Sequence, residues 1–208
     1  MTREGNEDAA HDYDHLERVM ALAETIQATE GGDPPTIWAA VAFHDIGQAR
    51  ERCFGGDHAL IGAAMAAELL TDTAFPQQAI PIVQQAIQDH RMTGAAVPQS
   101  LEGRILYDAD KLDSLGAIGI GRLYCITGHY NQKVYAPLPA EIVEPVDPLL
   151  VRELRHRPDY SPSIEFRLLF GNLPERMTTN IGRELARERY AYMAEFFARL
   201  QQEVEGKR

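Results

Sequence analysis

Ile37-Trp38-Ala39-Ala40-Val41-Ala42-Phe43-His44-Asp45-Ile46-Gly47 is apolar on every side of a helix until an imidazole and a carboxylate close it. The run predicts a buried central helix over 37–46, with Gly47 as its C-terminal stop. A carboxylate in such surroundings costs several kcal/mol unless it is paired or coordinates a cation. Taken alone, His44-Asp45 reads equally well as a satisfied buried polar pair. Working outward, Asp33-Pro34-Pro35 carries a helix-start pattern. Before it, Leu16, Val19, Met20, Ala23 and Ile26 recur at three- and four-residue steps, the stripe of an amphipathic helix. After it, Ala59 to Leu70 reads as a small-residue-rich helix that can pack closely, and Ile80 to His90 as another with Pro81 in its first turn. Ile105 to Thr127 is helical in pattern, with Gly116, Gly119 and Gly121 weakening its second half. No stretch up to Thr127 alternates with period two for long enough to form a strand. An all-α domain follows.

The segment 134–163 holds Pro137, Pro139, Pro145, Pro148, Pro158 and Pro162, half of the chain's 12 prolines. It predicts an ordered loop with short helical pieces, serving as a lid, a subunit contact or a simple connection. Helical spacing returns over Ile164 to Leu173 and Ile181 to Val204, where Tyr190, Met193, Phe196, Phe197 and Leu200 supply an apolar face. The expected organisation is a single-domain helical bundle with a metal-binding core over 1–133, a proline-rich loop or lid over 134–163, and C-terminal helices over 164–208 packing on the same domain.

Composition narrows the setting. The chain has 208 residues and a net charge of −11, and residues 1–110 carry 18 Asp and Glu against 6 Lys and Arg. A pI of about 5.1 argues against a nucleic-acid polymer as partner, since phosphate binding needs clustered Lys and Arg. Cys53 and Cys125 form no CxxC pair and read as small core residues in a reducing cytoplasm. The polar, acidic stretch Met1 to Ala10 resembles no signal or transit peptide, and no apolar run reaches the roughly 18 residues of a membrane span.

The His-Asp pair gains meaning from its company. His15 lies on the apolar edge of the first helix, His58 begins the helix up to Leu70, His90 ends the helix from Ile80, and Asp110 sits in an acidic cluster within an apolar helix. His15, His44, Asp45, His58, His90 and Asp110 thus all lie on or at the ends of helices in the first 110 residues. Helical bundles build metal sites from such inward-pointing side chains. Mixed imidazole and carboxylate donors suit Mn²⁺, Fe²⁺, Co²⁺, Ni²⁺ or Zn²⁺ better than Ca²⁺ or Mg²⁺.

At these residues the chain resembles the HD-domain superfamily of metal-dependent phosphohydrolases. The likeness rests on His15-Leu16-Glu17-Arg18-Val19, His44-Asp45-Ile46-Gly47 and Asp108-Ala109-Asp110-Lys111-Leu112-Asp113. The superfamily signature maps onto His15, His44, Asp45 and Asp110. The run from Asp108 to Ile120 and the segment Leu168 to Thr179 are similar to a subgroup of small bacterial HD hydrolases, some acting on nucleotides. His58 and His90 resemble the extra ligands of two-metal members, in which Asp45 would bridge the ions. Many of those members carry adjacent histidines where this chain has His90-Arg91, a departure from the phosphodiesterase pattern.

The resemblance implies a metal-dependent phosphohydrolase acting on a small phosphorylated substrate, a nucleotide foremost. One or two divalent ions would polarise a phosphoryl oxygen and make hydroxide available for in-line attack at phosphorus. Asp45, Lys111 and Asp113 are the catalytic candidates, with Asp108 an alternative to Asp113 for orienting a ligand or accepting a proton. Arg18, Arg91 and Lys111 are candidates to meet the phosphate. Two other classes stay open. The four-His, two-Asp pattern also resembles di-iron oxygenases of this fold, and a non-catalytic metal- or nucleotide-binding module would need the same ligands. A homodimer is one assembly compatible with the loop, and no membrane partner is expected.

Overall fold

The computed structural model describes residues 13–91, 97–140, 142, 151, 153–155 and 157–207. The polar N-terminal stretch Met1 to Ala10, and Pro145 and Pro148 of the proline-rich segment, lie outside the described residues. The fold is all-α, with no strand among the described residues. Those residues divide into two compact units, one of Tyr13–Leu112 with Met177–Arg183 and one formed by the rest from Asp113 onward.

In the first unit α1 (Tyr13–Glu30), α2 (Pro34–Phe43), α3 (Gln48–Phe54), α4 (His58–Thr71), α5 (Ile80–Asp89) and α6 (Leu101–Leu112) follow in order. Helices α1, α5 and α6 each pack on α2, and α4 packs on α5. The buried face of α1 is His15, Val19, Ala23 and Ile26, so the histidine continues the apolar stripe at helical spacing. Asp33 caps α2 by accepting from the Thr36 amide at 3.1 Å, and Pro34 occupies the first turn, where its missing N–H costs nothing.

The central helix starts and ends three residues earlier, and is less enclosed, than its sequence predicts. It ends at Phe43, and His44 to Gly47 form a turn that leads straight into α3. Ile37, Ala40 and Val41 are buried while Trp38 is 45% exposed, so one apolar face of α2 meets solvent. Gly47 is therefore not a helix stop. It opens α3, with φ −77°, where any residue is comfortable. What requires glycine is the approach of α4, because a Cβ on Gly47 would lie 2.1 Å from the His58 carbonyl oxygen and 2.7 Å from the Gly62 nitrogen. Both are backbone atoms and cannot swing aside. Gly47→Ala is expected to cost about 2–3 kcal/mol in urea unfolding and to push His58 away from Asp45.

In the second unit α7 (Gly116–His129) starts after a break at Asp113-Ser114-Leu115, so the predicted helix 105–127 is two helices. Gly116 has φ +73°, the left-handed conformation that makes this break inexpensive. Pro162–Glu165 forms α8, which widens into a π-type turn at Phe166–Phe170, followed by α9 (Leu173–Arg176). The last helix, α10 (Asn180–Val204), has its first turn in the first unit and the remainder in this one. Met193 and Phe197 of α10 are buried, and Phe166 stacks on Tyr190 and Phe197 with ring centroids 5.2 and 4.7 Å apart. Among its described residues the proline-rich segment carries a core of its own, with Ala136, Val151, Leu154 and Tyr160 packed with Ile164. Arg155 pairs with the buried Glu165 beside it. Cys53 and Cys125 are both exposed, contrary to the expectation that they fill the core.

Candidate metal centre

Each proposed ligand is delivered by a different part of the first unit. His15 comes from the buried face of α1, His44 and Asp45 from the turn after α2, His58 from the start of α4, His90 from the end of α5 and Asp110 from the last turn of α6. The structure gathers all six. His15, His44 and Asp110 offer one donor atom each within 4.8 Å of one another, and Asp45, His58 and His90 do the same.

Asp45 joins the two groups through different oxygens. Its Oδ2 lies 3.4 Å from His44 Nε2 and 3.8 Å from His15 Nε2, and its Oδ1 lies 3.7 Å from His90 Nε2 and 4.0 Å from His58 Nε2. Asp110 Oδ1 stands 3.6 Å from His15 Nε2, and the His15 and His44 Nε2 atoms are 3.4 Å apart. These separations exceed good hydrogen bonds. They approach the ~3.0–3.5 Å edges of a coordination polyhedron built on metal–ligand bonds of about 2.1 Å.

The imidazoles are also oriented for the task. His44 Nδ1 donates to the Val41 carbonyl at 2.8 Å, and His90 Nδ1 to the Ile87 carbonyl at 2.6 Å. A carbonyl oxygen only accepts, so in the neutral rings the hydrogen sits on Nδ1 and the Nε2 lone pair faces the cluster. His15, His44 and His90 are all buried. Imidazole nitrogens and carboxylates converging from five helix ends and turns are a donor set that fits a divalent cation.

Electrostatics point the same way. Burial acts to lower the His44 pKa, but Asp45, then Asp110 and the Val41 carbonyl, outweigh it and raise the imidazole to about 9. Burial alone would raise the Asp45 carboxyl, yet His44 and His90 hold it well below the usual range. Asp110 is likewise held low against burial, chiefly by Lys111 and then His44. A proton held on His44 by Asp45 would compete with a cation for the same nitrogen, and a bound ion would have to displace it. Apparent Mn²⁺ affinity is expected to rise about tenfold per pH unit from neutrality and to level off above about pH 9, as read by competition with a chelator.

The remaining candidates are placed as follows. Lys111 is buried, with Nζ 2.5 Å from Asp110 Oδ2 and 5.4 Å from the Tyr107 ring centroid, so it holds the oxygen of Asp110 that faces away from His15. Arg18 is half-buried one turn beyond His15 on α1. Arg91 follows His90 and donates to Asp57 Oδ2 at 2.5 Å. Asp113 belongs to the second unit. It is 1% exposed and accepts from Arg122 at 2.8 Å within the second unit. Asp108 is fully buried, and its carboxylate accepts from the amides and hydroxyls of Thr178 and Thr179 at 2.6 to 3.2 Å.

Two residues escaped the reading of the sequence. Asp57 caps α4 by accepting from the Ala59 amide at 2.9 Å, and an Asp directly before an apolar helical run is a signal that could have found it. Glu51 accepts from His58 Nδ1 at 3.0 Å. No spacing rule announces that contact, because it depends on the Gly55-Gly56 reversal between α3 and α4, with φ of +74° and +104°.

A family model for the HD domain matches residues 12–115. The chain belongs to the HD-domain family. Over 205 residues it is 25% identical to the uncharacterized protein YpgQ of Bacillus subtilis, covering 97% of this chain and 88% of that protein. The crystal structure of a predicted HD superfamily hydrolase from an uncultured Thermotogales bacterium superposes with a TM-score of 0.65 at 29% identity, covering 97% of this chain and 86% of that one. The crystal structure of YpgQ in complex with ADP superposes with a TM-score of 0.71 at 23% identity, covering 97% and 94%. The all-α, HD-type fold expected from His15, His44-Asp45 and Asp110 is the fold observed, and it is that of HD-superfamily hydrolases. No helix among the described residues is long and apolar enough to cross a membrane.

Proposed function

We infer that this HD-domain protein is a metal-dependent phosphohydrolase acting on a small phosphorylated substrate, most consistently a nucleotide. The division of the two Asp45 oxygens between His15–His44 and His58–His90 carries the reading, because one carboxylate shared by two pairs of imidazoles suits a centre of one or two divalent ions. The ADP complex of the related YpgQ supports the nucleotide class. The ions best matched by imidazole and carboxylate donors are Mn²⁺, Fe²⁺, Co²⁺, Ni²⁺ or Zn²⁺.

A divalent ion held here supplies Lewis acidity and lowers the pKa of a bound water. The chain's own residues do the rest. Lys111 fixes Asp110 and places a buried positive charge beside the donors, where it offsets phosphate charge. Arg91 meets a phosphate by exchanging its Asp57 partner for phosphate oxygens, and Arg18 is the matching guanidinium on α1. Asp108 and Asp113, each engaged by donors of its own unit, take structural roles in this reading. A cytoplasmic setting fits substrates of this class.

The test is release of phosphate or pyrophosphate from a nucleotide panel with Mn²⁺, Co²⁺ or Ni²⁺. Activity is expected in the wild type and absent from His44→Ala, while His58→Ala and His90→Ala lose only a second ion. The same four histidines and two aspartates also favour a second reading, a di-iron oxygenase. Two irons per chain in protein purified without added metal, with an O₂-dependent product, would replace the hydrolase reading.

A further inference from the structure

His58 differs from its neighbours in what holds its far nitrogen. His44 and His90 donate from Nδ1 to the carbonyl three residues earlier in the chain, a backbone contact built into the helix end. His58 begins α4 and has no such carbonyl on its own helix. Its Nδ1 instead donates to Glu51 Oε2 at 3.0 Å, while its Nε2 faces Asp45 Oδ1 at 4.0 Å. Glu51 lies on α3, the seven-residue helix that follows the His44–Gly47 turn, and both side chains are mostly buried, at 22% and 16% exposure. A carboxylate accepting from one imidazole nitrogen fixes the tautomer and ring orientation and makes the other nitrogen a stronger donor to a cation.

We propose that Glu51 is a positioning residue that locks His58 with its hydrogen on Nδ1 and aims Nε2 at the cation position shared by Asp45, His58 and His90. The inference rests on reading that group as a cation site, and it adds an outer carboxylate to it. Unlike His44 and His90, His58 has its aim set by a side chain on a separate short helix, so Glu51 controls the second ion independently of the first.

The test uses the full-length protein and Mn²⁺, with free ion followed by electron paramagnetic resonance and the His58 tautomer by long-range ¹H–¹⁵N NMR on metal-free protein. Glu51→Ala is expected to weaken the second Mn²⁺ about 10–100-fold. It should leave the first within about twofold, and that first ion doubles as the check that the variant is folded. Glu51→Gln keeps an acceptor and should recover part of the affinity and the Nδ1–H tautomer. In a His58→Ala background, Glu51→Ala should change nothing further. The proposal is overturned if Glu51→Ala leaves the second affinity or the tautomer unchanged, or if the loss persists without His58. A wild type that takes up a single Mn²⁺ at every concentration also overturns it, while leaving a one-ion hydrolase standing. Two tightly bound ions with a silent nucleotide panel would instead refute the hydrolase and leave the role of Glu51 intact.

Discussion

Asp45→Ala is expected to empty both donor groups at once. Every other ligand serves one group, whereas Asp45 faces four imidazoles through two oxygens, so its loss takes a donor from both groups and leaves His58 and His90 with no third. Loss of an outer-sphere partner typically costs 10–100-fold in metal affinity, and removing a shared inner ligand should exceed about 100-fold for both ions. The proposed nucleotide hydrolysis should fall with them to background. The fold should survive, because Ile37, Ala40 and Val41 keep α2 anchored and the proton that Asp45 holds on buried His44 can leave once that partner is gone. Metal analysis by mass spectrometry, beside a circular dichroism spectrum, reads both halves of this expectation. Normal stoichiometry in a folded Asp45→Ala protein would end the case for the centre.

Asp108→Ala is expected to act in the opposite way, on the fold before the metal. The carboxylate accepts from Thr178 N at 2.9 Å, Thr178 Oγ1 at 3.0 Å, Thr179 N at 2.8 Å and Thr179 Oγ1 at 2.6 Å. Alanine would leave the two amides and the Thr179 hydroxyl at this largely buried junction without their acceptor, while the Thr178 hydroxyl keeps the Arg104 carbonyl at 3.3 Å, and each stranded donor costs about 1–3 kcal/mol where water cannot enter. Partial rehydration lowers the total, so a loss of about 3–5 kcal/mol is the expected reading from urea midpoints. Asn at this position restores some acceptors and should recover part of the loss. Gly182→Ala provides an independent check, since a Cβ there would lie 2.2 Å from Asp108 Oδ2 and 2.6 Å from Thr179 Oγ1. If Asp108→Asn instead folded with unchanged stability and lost hydrolysis, Asp108 would belong to the chemistry.

Much of this was legible because burial and charge conflict openly in the sequence. A carboxylate closing an apolar run, with imidazoles at the ends of other apolar helices, has few stable solutions besides a shared cation. The helices themselves followed from three- and four-residue spacing. Contacts that depend on how helices approach one another did not. Gly47 looked like a stop because glycine often ends helices, while its real constraint is the α4 backbone 2.1 Å away from where a Cβ would stand. Trp38 is exposed because one face of α2 has no partner among the packed helices, which an all-apolar helix cannot announce. Asp113 reads as part of an acidic cluster, yet it lies past the end of α6 and faces Arg122 nine residues on. Cys53 and Cys125 show how little a thiol's apolar character says about burial.

The anchoring of Asp108 by Thr178 and Thr179 also sets an order on biosynthesis. The six donors are all translated by residue 110, but the threonines that complete their unit come after the whole segment Asp113–Arg176 has been made. A nascent chain paused before residue 177 therefore holds every proposed ligand and lacks the closing clamp, so closure of the unit around them waits until Met177–Arg183 has been made. The same logic applies to dissection. A fragment cut at residue 115, where the family match ends, carries all six donors and is expected to aggregate or stay open, and adding back residues 177–183 as a separate peptide is the minimal repair.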